Sequence, residues 1–69
     1  MVKEFRVIRN KLAIAKNVRP FQLCTNKIIV NVATYLPRDK EQFVNIVGCG
    51  DKMYNNIGYL FVDEINKKY

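Results

Sequence analysis

The chain contains no histidine, no serine and no tryptophan. The first two absences exclude serine–histidine and cysteine–histidine nucleophile pairs, imidazole acid–base chemistry and every histidine-containing zinc site. Cysteine is scarce too: Cys24 and Cys49 stand 25 positions apart and fit no metal-ligand spacing. No apolar run approaches the roughly 18 residues that a membrane span needs. Lys3, Glu4, Arg6 and Arg9 interrupt the N-terminal stretch before a signal-peptide core could form. The expectation is therefore a cytoplasmic protein with two reduced thiols, no membrane contact, no metal, no cofactor and no catalytic activity. One disulfide is arithmetically allowed, but nothing in the spacing asks for it.

What is present points to one small domain covering residues 1–69. Hydrophobic residues make up 49% of the chain, too many for disorder. A domain of this size buries only about 60% of the surface that its unfolded chain exposes. That marginal core is a reason to expect a dimer or higher homo-oligomer.

The net charge of +6 is unevenly placed. Lys3, Arg6, Arg9, Lys11, Lys16, Arg19 and Lys27 face Glu4 alone, so the first 27 residues carry all of it. The rest is balanced, with Arg38, Lys40, Lys52, Lys67 and Lys68 against Asp39, Glu41, Asp51, Asp63 and Glu64. A sequence pI near 9.6 with clustered cations is the electrostatic footprint of a nucleic-acid binder. A merely soluble basic face is the plainer alternative.

Alternation dominates the hydrophobic pattern. Ile28, Val30, Val32, Thr34 and Leu36 alternate with Ile29, Asn31, Ala33 and Tyr35 in a run rich in β-branched residues, which predicts a strand ended by Pro37. Arg38 to Gln42 read as a charged loop and Phe43 to Val47 as a strand stopped by Gly48 and Gly50. Ile57 to Ile65 alternate again. Near the N-terminus Phe5, Ile8, Leu12 and Ala15 would line a helix, but Val7 and Ile14 would then sit among charges on its far side. Two strands, Lys3 to Ile8 and Leu12 to Val18, are favoured, followed by a short extended piece, Phe21 to Cys24, and a turn at Thr25–Asn26. Five short strands predict an all-β protein, a small five-stranded OB-like barrel.

The string Asn31-Val32-Ala33-Thr34, Arg38-Asp39-Lys40, Phe43-Val44-Asn45-Ile46-Val47 and Gly50 resembles the centre of bacterial and phage single-stranded DNA-binding proteins. Leu12-Ala13-Ile14-Ala15 and Val18-Arg19-Pro20-Phe21 fall where that family has its first strand and basic segment, so the resemblance covers about residues 11–51. It implies an OB-fold whose curved face stacks bases on aromatic side chains. Phe43 would stand at one stacking position and Tyr35 close to another. Cys49 replaces a usual aromatic, and Lys67-Lys68-Tyr69 stand in place of the family's acidic tail.

The expected site therefore joins Arg6, Arg9, Lys11, Lys16, Arg19, Lys27 and Arg38 along phosphates with Tyr35 and Phe43 against bases. Phe5, Phe21 and Phe61 are expected in the core, and the hydroxyls of Tyr35, Tyr54 and Tyr59 favour a wet edge. No carboxylate pair is placed for catalysis or metal binding. The expected function is non-catalytic binding of single-stranded nucleic acid, with a replication protein as a second partner. The alternative is a small protein-binding module, such as a virus-encoded inhibitor of a host enzyme.

Overall fold

A computed structural model describes residues 2–69, and no strand occurs among them. The elements are α1 (Val2–Lys16), α2 (Pro20–Leu23), α3 (Asn26–Tyr35), α4 (Lys40–Val44), α5 (Asp51–Met53), a π-helical turn (Tyr54–Gly58) and α6 (Tyr59–Lys68). The all-β barrel is thus overturned by a helical bundle, and with it the OB-fold.

Local chemistry explains where each helix starts and stops. Asn17 adopts a left-handed φ of 56°, and Val18 N–H bonds Ala13 C=O at 3.0 Å while Asn17 N–H bonds Ile14 C=O at 3.1 Å. These two bonds close α1 as a Schellman motif. Pro20 opens α2, where its fixed φ and missing N–H cost nothing. The Thr25 Oγ1 accepts Ile28 N–H at 3.4 Å and caps α3. At Leu36 the chain turns left-handed, φ 48°, an arrangement that costs a β-carbon-bearing residue about 1–2 kcal/mol. Pro37 follows and prevents α3 from continuing. Asp39 Oδ1 then accepts Gln42 N–H at 2.8 Å and starts α4. The expected turn at Thr25–Asn26 and loop at Arg38–Gln42 are therefore helix starts.

The alternation in residues 27–36 resolves into a helical face. Ile29 and Val32 are buried, and Ile28, Ala33 and Leu36 pack half-buried beside them. Thr34 fits the helix by donating its hydroxyl to Val30 C=O at 2.8 Å. In the last helical stretch Ile57, Phe61 and Ile65 fall at successive turns on the core side. On α1 the buried residues are Phe5, Arg9 and Ala13, with Ile8 and Leu12 alongside. Val7 and Ile14 do stand among the charges, with Ile14 80% exposed. An apolar residue on a charged helix face is tolerated, because burial of apolar residues is a one-way rule.

Three phenylalanines organise the core. Phe5 meets Phe61 with ring centroids 4.7 Å apart, and Phe43 meets Tyr54 edge-on at 5.7 Å. Such pairs contribute about 0.5–1.5 kcal/mol each beyond their buried area. The π-helical turn brings Gly58 under the Phe43 ring, where a β-carbon would lie 2.5 Å from the ring edge. Only glycine admits that approach. Cys24 and Cys49 are free and buried in the same core. Burial pushes the Cys24 thiol up to about 11, and Cys49 moves the same way for the same reason.

Candidate nucleic-acid interface

Turning Phe5, Ile8, Leu12 and Ala13 toward the core leaves the opposite side of α1 to Lys3, Arg6, Val7, Asn10, Lys11 and Ile14. A 15-residue helix extends this face over about 22 Å. Lys16 stands exposed in the last turn of α1, Arg19 before α2 and Lys27 in the first turn of α3. Among the described residues none of Lys3, Arg6, Lys11, Lys16, Arg19 and Lys27 forms an ion pair. The one acid of this region, Glu4, lies 3.8 Å from the Lys68 ammonium, which is also 3.9 Å from Glu64. The positive field of the outer face is thus left uncompensated, the condition under which a polyanion is attracted and held.

Arg9 does not belong to this face. It is only 7% exposed, and its Nη1 donates to Cys24 C=O at 3.3 Å and to Asn26 Oδ1 at 2.8 Å. Its guanidinium ties α1 to the junction between α2 and α3 through neutral acceptors. It is a structural clamp rather than a phosphate contact. Arg38 is exposed but engaged with the end of α6: its Nη1 donates to Asn66 Oδ1 at 3.4 Å, and Asn66 Nδ2 donates to Arg38 C=O at 3.0 Å.

The two expected stacking residues part company. Phe43 is fully buried beneath Gly58 and cannot meet a base. Tyr35, at the end of α3, is 69% exposed. Phe21, expected in the core, is instead 60% exposed on α2, two residues beyond Arg19. α2 packs against α1 and sends Leu23 toward the core, and a helix of one turn cannot bury all four of its side chains, so the Phe21 ring is left in solvent. The Arg19-Pro20-Phe21 order is the sequence feature that could have marked it, because Pro20 fixes the backbone on which the ring is displayed. The structure therefore retains Arg6, Lys11, Lys16, Arg19, Lys27 and Tyr35 on the surface, adds Phe21, and withdraws Arg9 and Phe43.

Among the described residues no group of histidine, cysteine, aspartate and glutamate side chains is arranged to hold a metal, and no helix is long and apolar enough to cross a membrane. A family profile described as the HRDC domain matches residues 1–65. It overturns the resemblance to single-stranded DNA-binding proteins, whose barrel the helices had already contradicted. No curated protein and no solved structure shows significant similarity to the chain.

Proposed function

Because the chain belongs to the HRDC domain family, which comprises helical nucleic-acid-binding domains, we propose that it is a non-catalytic module that holds a single nucleic-acid strand across the outer face of α1 and the turn into α2. Lys3, Arg6, Lys11, Lys16 and Arg19 contact successive phosphates, and Phe21 offers its ring to an unpaired base. Six cations without a carboxylate partner among the described residues carry this reading, whereas Lys40, Lys67 and Lys68 form ion pairs and Arg38 is held by Asn66. A phosphate track gives affinity without sequence preference, and an exposed ring accepts any base because every base has a π-face.

Fluorescence anisotropy with single-stranded and duplex oligonucleotides over a range of salt tests the proposal. For single strands the slope of log K against log salt is about −0.7 per phosphate neutralised, so four contacts give roughly −3. Single strands are expected to bind more tightly than duplex, since a paired base cannot reach Phe21. Absence of binding at low salt would overturn the proposal. The protein-binding module would then be the reading to pursue, on the exposed apolar side chains of Val7, Ile14 and Phe21.

A further inference from the structure

A cavity of about 570 Å³ opens between the end of α3 and α4, away from every residue used above except Tyr35. Asn31, Tyr35, Gln42, Asn45 and Val47 line it, with Pro37 buried behind them. No ionisable carboxylate or cation lines it. Three of its walls are carboxamides, each a donor and an acceptor in one plane. Asn31 and Asn45 make no side-chain hydrogen bond, so both of their amides are unspent. Gln42 accepts Arg38 N–H through Oε1 at 2.8 Å, which fixes the side chain and leaves its NH₂ to donate elsewhere.

From this geometry we infer that the cavity is a pocket for one unpaired nucleobase of the bound strand. A flat heterocycle with donors and acceptors along its edge is the ligand that matches a neutral, amide-lined cavity beside an exposed phenol ring. Carboxamides pair with base edges through both of their atoms, and Tyr35 supplies a stacking surface at the mouth. A phosphate alone has no cation to meet inside. The cation stands outside: Lys27, Asn31 and Tyr35 follow one another at four-residue spacing on α3, over about 12 Å of helix. Lys27 has no ion-pair partner and receives the phosphate next to the pocketed base. The inference rests on the strand-binding reading for its ligand, but the pocket uses none of the α1 side chains.

Two measurements separate the inference from that reading. In the first, side-chain NH₂ resonances of Asn31, Gln42 and Asn45 are followed by ¹H–¹⁵N NMR while a nucleoside without phosphate is added to millimolar concentration. These three amides are expected to shift with the nucleoside and not with inorganic phosphate, and the shifts are expected to vanish in Tyr35→Ala. In the second, Tyr35→Ala is titrated with an oligonucleotide and with an abasic strand of equal length. Affinity for the base-bearing strand is expected to fall about five- to hundredfold, with the abasic strand and the salt slope unaffected. An unchanged affinity of Tyr35→Ala for the base-bearing strand, or nucleoside shifts absent from these amides, would overturn the inference while leaving the phosphate track standing. Should strands fail to bind at low salt while the nucleoside still shifts the amides, the phosphate track fails and the pocket stands.

Discussion

Among the described residues up to 27, six of the seven cations are exposed and form no ion pair, and the seventh, Arg9, is buried against neutral oxygens. In residues 28–69 the charges balance, and three of the five cations form ion pairs. Lys40 lies 3.7 Å from Asp51 and over the Tyr54 ring, Lys67 lies 3.1 Å from Asp63, and Lys68 lies between Glu64 and Glu4. Exposed pairs of this kind contribute only about 0–1 kcal/mol each, so they do not explain the fold. Their effect is to neutralise one half of the surface, so that the field of the other half is felt alone. The aromatic core divides in the same sense. Phe43, Tyr54 and Gly58 pack together in the later half and Phe5 of α1 joins them through Phe61, whereas Phe21 and Ile14 of the earlier half stay in solvent.

Truncation in the later half tests this division most severely. Phe43→Ala removes a fully buried ring and is expected to cost about 3–5 kcal/mol of stability by urea denaturation. Phe21→Ala is expected to leave stability within about 0.5 kcal/mol and to lower strand affinity. If Phe43→Ala instead kept its stability and lost affinity, the assignment of the two rings would be reversed.

A smaller effect separates two arginines three residues apart. Arg9→Met leaves Cys24 C=O and Asn26 Oδ1 without their charged donor and is expected to destabilise the fold by about 1.5–3 kcal/mol. Arg6→Met is expected to leave the unfolding midpoint almost unmoved while weakening binding to strands of any sequence. Equal stabilities for the two variants would show that the Arg9 clamp is not formed.

Charge reversal sharpens the electrostatic side. Lys11→Glu is expected to flatten the salt slope by at least about 0.7, the amount that one lost phosphate contact removes. Lys67→Glu, in the neutralised half, is expected to leave the slope where it was. A matching loss from Lys67→Glu would mean that the strand crosses both halves.

The buried thiols tie both halves to pH. The Cys24 thiol titrates at about 11 in the folded protein and near 9 when unfolded. The unfolded chain therefore releases its proton first as pH rises, so stability is full below pH 9 and declines between about 9 and 11. Urea midpoints measured across that range check the sign, and a rise in midpoint would refute it. Alkylation of native protein at neutral pH is expected to be slow at both cysteines, because each is buried and protonated.

Much of the fold is written locally, in the residues that start and stop its helices. Thr25, and Asp39 with Gln42 three residues later, are helix-start signals, and Pro20 is a first-turn residue. The runs after them are rich in β-branched side chains, and short apolar runs fit either period, so local pattern alone also allows turn and loop there. Residues 29, 32, 33 and 36 carry helical spacing as legibly as residues 28, 30, 32 and 34 carry alternation. In α1 the exposed Val7 and Ile14 break the amphipathic pattern, and a charged helix face tolerates them. Of the site, Arg6, Lys11, Lys16, Arg19 and Lys27 were legible as cations on a basic segment, and Tyr35 as an aromatic at a wet edge.

By itself the sequence determined the chemistry on offer: no imidazole, no serine hydroxyl, and a net positive charge confined to the first 27 residues. These properties follow from composition and order alone and survive any fold. Only the tertiary structure decided which side chains that chemistry could use. Phe43 is removed from solvent by Gly58, and Arg9 by the carbonyl of Cys24 and the amide of Asn26. Phe21 is left in solvent because α2 meets α1 and the core through Leu23 instead. Burial depends on groups distant in the chain coming into contact, and no local pattern contains that distance.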